Sequence, residues 1–300
     1  AARQRTILSP AGTGMIVDAH AHPWWYGYDP DKLVANMDEH GIDVAWLLTW
    51  EVAEGMYDHS YDRTWMAPYI GMPIEAVWDT VERYPKRFVA GYAPDPKSPM
   101  AIEKLKTAVK HGVRVSGEHK FRTLFDDPDC IRFYRVCGEL GLPVTLHIDV
   151  PCLPPDDPTK PVQWWYAGDI SNLERALRQC PDTVFLGHAP GFWREVSGDA
   201  DSDPNAYPKG PVKPGGRLRP LFDKYPNLYA DLSAGSALTA ISRDPEWGRQ
   251  FLLDYHTRLL FARDYFDSAL MDFLRSLNLP DEPFNAILSG NALRLVPLAV

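Results

Sequence analysis

Eight short apolar runs, each followed by a segment with helical spacing, constrain the fold of this chain more than any other feature. The runs are Met15–Val17, Val44–Trp50, Phe88–Ala93, Val113–His119, Pro143–Ile148, Thr183–His188, Leu228–Leu232 and Leu259–Asp264. Most are apolar nearly throughout rather than alternating, which is the pattern of strands covered on both faces. Helical spacing occupies Asp31–His40, Ile74–Tyr84, Met100–Lys110, Asp129–Leu140, Asn172–Cys180, Arg217–Lys224, Trp247–Thr257 and a last stretch from about Ser268. Gly41, Gly112 and Gly141 close three of these helices, and Pro85 ends a fourth. Strands and helices alternating in this way build a parallel α/β sheet, and eight units close a (β/α)8 barrel of the TIM type.

The unequal loops predict a distorted barrel. Segments 51–68, 150–167 and 190–216 are long, rich in Pro, Gly or aromatic residues, and each follows a strand. They therefore belong on the C-terminal face, where such barrels keep their chemistry. Residues 1–14 read as a flexible lead-in and 15–300 as one barrel domain; 300 residues with 45% hydrophobic content suffice for its core. No apolar run approaches the roughly 18 residues that a membrane span requires. A net charge of −9 argues against nucleic acid or an anionic membrane as partner and leaves a small-molecule substrate. Cys130, Cys137, Cys152 and Cys180 lack Cys-x-x-Cys spacing and read as free thiols. The chain starts Ala1-Ala2-Arg3-Gln4-Arg5, compatible with a cytoplasmic protein or, after cleavage of an upstream signal, a periplasmic or secreted one.

Chemistry enters with Asp18-Ala19-His20-Ala21-His22. Histidines at i and i+2 of a strand point to one face, because side chains alternate with period two. Two imidazoles converging at a strand end suit a divalent metal, zinc first among ions bound by nitrogen and oxygen. Other ionisable residues fall at the ends of later strands: Glu118 on the fourth, His147 on the fifth, His188 on the sixth, Asp231 on the seventh and Asp264 on the eighth. A barrel gathers them on one rim. Three imidazoles and a carboxylate hold a divalent ion with a position left for water, whose pKa falls from 15.7 to about 7. Asp264 is then placed to carry the water's proton to the leaving group, and His188 to polarise the substrate. Asp231 has an ordinary reading as a loop carboxylate or helix cap.

Together with Leu146-His147, Gly187-His188, Asp264 and Ser289-Gly290-Asn291-Ala292-Leu293-Arg294-Leu295, the His-x-His motif resembles the amidohydrolase superfamily. The similar branch is amidohydrolase family 2, which contains aminocarboxymuconate-semialdehyde decarboxylase. The resemblance runs from about residue 15 to 296. It implies a distorted barrel with one divalent ion, usually zinc, held by His20, His22, His147 and Asp264, with His188 as the active-site histidine. Relatives are often dimers, so a homodimer is implied as well. Two departures stand out. Decarboxylases of this branch carry a glutamate shortly after the strand-six histidine, where this chain reads Ala189-Pro190-Gly191-Phe192-Trp193; that favours hydrolysis. Strand four ends Ser116-Gly117-Glu118-His119-Lys120, similar to the Gly-Glu of TatD-type nucleases, in which the glutamate ligates a metal pair. By alternation Glu118 and Lys120 share a face. Either adds a second ion, Lys120 through a carbamate, or the two simply pair with each other.

Aromatic residues cluster in the loops: Trp24 and Trp25 after strand one, Trp164 and Trp165 in the strand-five insertion, Trp193 after His188. They are loop anchors or the flat walls of a pocket for a ring. Lys120 and Arg194 are candidate clamps for a substrate carboxylate. The expectation is a metal-dependent hydrolase of an amide, ester or lactone. The alternatives are a non-oxidative decarboxylase of an aromatic or unsaturated acid, a TatD-like nuclease, which the acidic composition disfavours, and a barrel that only binds.

Overall fold

A computed structural model describes residues 14–53, 55–57, 59, 62–66, 68–149 and 166–298. The lead-in through residue 13, the strand-five insertion with Cys152, Trp164 and Trp165, and residues 299–300 lie outside these. Eight parallel strands form the barrel: β1 Val17–Ala21, β2 Val44–Leu47, β3 Phe88–Ala90, β4 Ser116–His119, β5 Val144–His147, β6 Phe185–His188, β7 Leu228–Asp231 and β8 Leu259–Leu260. β1 to β3 pair in order, and so do β4 to β8. Tyr92 N donates to Val115 O and Arg114 N to Ala90 O, joining the two sheets at one seam. Ala19 N donates to Phe261 O and Asp264 N to His20 O at the other, so the barrel closes.

Every strand residue is buried except Tyr229, as the uninterrupted apolar runs predict. The outer ring carries α1 Pro30–Glu39, α2 Ile74–Arg83, α3 Ala101–Lys110, α4 Pro128–Glu139, α5 Ile170–Gln179, α6 Leu218–Lys224, α7 Ala234–Ser242, α8 Pro245–Tyr255 and α9 Ala269–Ser276. Asp29, Asp127, Asp169 and Asp244 accept backbone N–H groups as N-caps of α1, α4, α5 and α8. Among the described residues no helix is long and apolar enough to cross a membrane. Cys130, Cys137 and Cys180 are buried free thiols, and burial pushes the first two up to about 12.

Several strands are shorter than the apolar runs. β2 stops at Leu47, and its continuation leaves β3 to bond directly with β4: Thr49 N donates to Gly117 O, and Glu118 N to Thr49 O at 2.8 Å. This irregularity brings the end of β4 toward β1. β8 keeps only two residues, and beyond it Asp264 turns into the left-handed region at φ +62°. The Ser-Gly-Asn-Ala-x-Arg-Leu stretch proves structural. It lies in consecutive short helices from Asp281 to Leu295, where buried Asn291 donates to the carbonyls of His256 and of Leu259, the first residue of β8.

Candidate active site and metal centre

His20 and His22 project from β1 to the same point, their Nε2 atoms 3.1 Å apart and both rings buried. Each Nδ1 is already engaged: that of His20 donates to Asp231 Oδ2 at 2.7 Å, that of His22 to Leu48 O at 2.9 Å. With the protons on Nδ1, two bare Nε2 lone pairs face each other. A positive charge has to lie between them, either a proton or a metal ion.

Two carboxylates complete the cluster. Glu118 Oε2 is 3.3 Å from His22 Nε2 and 3.9 Å from His20 Nε2. Asp264 Oδ1 is 3.4 and 3.6 Å from the same two nitrogens. Asp264 Oδ1 is buried and has no hydrogen-bond partner among the described residues, an expense that a cation would remove. Donors at about 2.1 Å from one tetrahedral ion lie roughly 3.4 Å from each other. The observed separations bracket that value, so the residues fit a divalent cation.

His147 and His188 lie on the far side of Glu118. His147 Nδ1 is 2.7 Å from Glu118 Oε1, and His188 Nε2 is 3.4 Å from the same oxygen and 3.9 Å from Asp264 Oδ2. Three donor groups thus converge: His20, His22 and Glu118; His20, His188 and Asp264; Glu118, His147 and His188. His147, expected beside His20 and His22, groups with Glu118 and His188 instead. Glu118 takes the third position next to the β1 pair, because the β2–β4 contact pulls it there.

Charge follows from these contacts. Burial opposes ionisation of Glu118, but the Lys120 charge and His147 hold its carboxyl well below the usual range. Burial and then Lys120 lower His147 to about 4, leaving it a neutral donor. Burial works against a charged His188, yet Asp231 and Glu118 outweigh it and raise the imidazole to about 10.

Asp231, given no special role by the sequence, is the hub behind the site. It is fully buried, and its Oδ1 accepts from His188 Nδ1 at 3.0 Å while Oδ2 takes His20. Ser233 Oγ and Trp193 Nε1 donate to its Oδ1 and backbone carbonyl. A second support joins β1 to the residue beside Asp264. Arg263 donates through N and Nε to Asp18, and through a terminal nitrogen to Asn36 Oδ1. Both Asp18 and Arg263 are buried.

The expected substrate contacts divide. Trp25 is buried with its ring 5.6 Å from that of His22, and packs against Trp50 and Tyr265. Trp24 is half-buried with an indole N–H lacking a partner among the described residues. Lys120 does not enter the donor cluster. Its Nζ sits 3.6 Å over the Trp50 ring and 5.5 Å from that of Tyr166, and no carboxylate among the described residues pairs with it. Trp193 is wholly buried between Phe192 and Phe251 and backs Asp231. Arg194 spends its guanidinium on the carbonyls of Ala200 and Asp203 and pins a loop. Their loop positions gave no indication of these directions. Tyr26, Tyr207 and Tyr265 are partly exposed near the mouth; after burial, Asp264 raises the phenol of Tyr265, and Asp149 then Asp264 that of Tyr207.

The amidohydrolase family 2 model matches residues 17–298. The chain belongs to that family. Solved barrels resemble this amidohydrolase over their full length at low identity. A zinc-bound amidohydrolase from Burkholderia multivorans superposes with TM-score 0.61 at 13% identity, covering 95% of this chain and 100% of that one. A manganese-bound dihydroxybenzoic acid decarboxylase from a Polaromonas species gives 0.59 at 20%, covering 94% and 97%. A probable 2-pyrone-4,6-dicarboxylic acid hydrolase from Acinetobacter baumannii gives 0.57 at 13%, covering 94% and 99%. No curated protein matches by sequence.

Proposed function

We propose that this family 2 amidohydrolase is a hydrolase that cleaves an amide, ester or lactone bond in a small cyclic molecule, with zinc as its ion. The observation that carries the reading is Asp264: a carboxylate beside the His20–His22 pair whose Oδ1 is buried and unpartnered. The ion, held by His20, His22, Glu118 and Asp264, supplies Lewis acidity and a water acidic enough to ionise near neutral pH. Asp264 takes the proton of the attacking water and returns it to the leaving oxygen or nitrogen. His188, its Nδ1 fixed on Asp231, offers Nε2–H to the carbonyl oxygen on which charge develops. Trp25 and the tyrosines at the mouth supply flat surfaces for a ring, and the Lys120 ammonium suits an anionic substituent on it.

Solved decarboxylases of the same fold support a second reading, non-oxidative decarboxylation. Against it, no carboxylate stands directly after His188. The next acid along, Glu195, is buried and committed to Arg217. Both readings are tested on the metal-loaded protein with a panel of lactones, esters, cyclic amides, and aromatic or unsaturated acids in 18O-labelled water. Hydrolysis incorporates one labelled oxygen into the product acid, and Asp264→Asn lowers the rate by about 10²- to 10⁴-fold. Turnover seen only as carbon dioxide released from the acids, without label in the product, would overturn hydrolysis in favour of decarboxylation.

A further inference from the structure

On the outside of the barrel a cavity of about 230 Å³ lies between α1 and α9. Ile42, Phe261 and Met271, all buried, give it an apolar lining. One group is out of place there. Arg263 lines the same cavity although its side chain is only 5% exposed. Its Nε donates to Asp18 Oδ2 and Nη1 to Asn36 Oδ1, whereas Nη2 donates to nothing among the described residues. Nor does Nη2 belong to the unpartnered atoms sealed away from solvent, so its two N–H groups face open space. A guanidinium otherwise fully engaged and nearly buried thus leaves one arm of its fork toward a cavity with apolar walls.

We propose that this cavity binds a small monocarboxylate with an apolar body. Its carboxylate sits on Arg263 Nη2, and its hydrocarbon part lies against Ile42, Phe261 and Met271. Charge-assisted bonds from guanidinium to carboxylate are the strongest use of two such donors. The apolar lining gives no hydrogen bond to a ligand that is polar throughout. Arg275, Glu39 and Asp267 also line the cavity, but all three are exposed, where water and salt screen their charges. Asp267 is further engaged with the Ala269 N–H. The buried guanidinium therefore selects the sign of the ligand, and Arg275 adds a second positive charge to hold it.

The place of the cavity in the fold gives its occupant an effect. Arg263 immediately precedes Asp264, and its partner Asp18 accepts the backbone N–H groups of both Arg263 and His20 through Oδ1. A carboxylate on Nη2 engages the remaining arm of the guanidinium that joins β1 to the chain after β8. Binding outside the barrel therefore stiffens the seam at which the barrel closes. The site is independent of the proposed reaction, and its failure leaves both hydrolysis and decarboxylation untouched.

The test is made on the zinc-loaded full chain, with butyrate as probe and butyramide as its uncharged counterpart. Saturation-transfer NMR gives the affinities, and thermal unfolding with and without butyrate gives a second reading. Butyrate is expected to bind and to raise the unfolding temperature, and butyramide to bind at least about 5-fold more weakly. Arg275→Glu changes an exposed position and is expected to weaken butyrate about 3-fold or more. Arg263→Lys keeps a charge for Asp18 but lacks the open fork nitrogen, and is expected to weaken it about 10-fold. Butyrate held anywhere else, the zinc ion included, is indifferent to both substitutions. Absence of butyrate binding would overturn the inference, as would equal binding of butyramide or unchanged affinity in either folded variant. Arg275→Glu decides alone if Arg263→Lys does not fold.

Discussion

The His20–His22 edge of the site and the His147–His188 edge are built by different means. On the first, both imidazoles are buried at the end of one strand, and one rests on a backbone carbonyl that no side-chain substitution can remove. Behind it, Asp18, Arg263 and Asn36 form a buried ionic link that ties β1 to the residue before Asp264. The second edge draws its histidines from two strands, β5 and β6, paired in register at His147 and His188. It relies on side chains alone: Glu118 for His147, Asp231 and Ser233 for His188. One edge is fixed by the barrel closure, the other by the carboxylates of Glu118, which is also in the donor cluster, and Asp231, which stands behind it. The consequence is that the first edge is coupled to folding, and the second to charge.

Breaking the first edge is expected to have the largest effect. Arg263→Met leaves the Asp18 carboxylate buried without its ion pair, and losing one partner of such a pair costs about 3–5 kcal/mol. Urea unfolding of the metal-free protein reads this directly. A loss below about 1 kcal/mol would show that the link carries little of the closure. Asp231→Asn comes next and probes the residue that holds the Nδ1 of one histidine on each edge. An amide has a single acceptor oxygen, so only one of His20 and His188 keeps its partner while the other Nδ1–H meets an NH2 group. Loss of such a supporting carboxylate weakens metal binding by roughly 10- to 100-fold. Competition with a chromophoric chelator measures it, and unchanged affinity would remove Asp231 from the account.

The parts of this site legible in the sequence are those set by period-two alternation at strand ends. His20 and His22 share a face because they are two apart on β1, and Glu118, His147, His188 and Asp264 meet because eight strands end on one rim. Asp231 was visible as a strand-end acid, but its partners His20 and His188 are 211 and 43 positions away. Only the closed barrel reveals that it serves both. The division of oxygens on Glu118 was hidden for a related reason, since it depends on β2 bypassing β3 to reach Gly117 and Glu118. Helix α7 escaped notice because Ala234-Gly235-Ser236-Ala237 has no apolar spacing. Its stability comes from close packing: a Cβ at Gly248 of α8 would fall 1.9 Å from Ile241 O. Trp193 turns to Asp231 and Arg194 to the Ala200 and Asp203 carbonyls, away from the donor cluster, directions that nothing in a loop's sequence fixes.

The smallest expected effect sharpens the contrast in charge between the edges. Lys120 acts on His147 of the second edge and on Glu118, which lies between the two edges, and its ammonium is held over Trp50 without a carboxylate among the described residues. Lys120→Met keeps the aliphatic stem on the indole and deletes only the charge, so packing changes little. Removing a nearby positive charge strengthens attraction for a cation by an amount set by distance and dielectric, about 2- to 10-fold in affinity at low salt. The gain should shrink at 1 M salt, where the screening length is about 3 Å. Both follow from manganese titrations at two ionic strengths. If Lys120 also meets an anionic substituent, the same substitution raises KM for carboxylate-bearing substrates while kcat for neutral ones stays put. Affinity for the metal and apparent affinity for anionic substrates therefore move in opposite directions for one reason, the loss of a single positive charge. Metal affinity left unchanged at low salt would show that the Lys120 charge does not reach the donor cluster and that the edges are not electrostatically distinct.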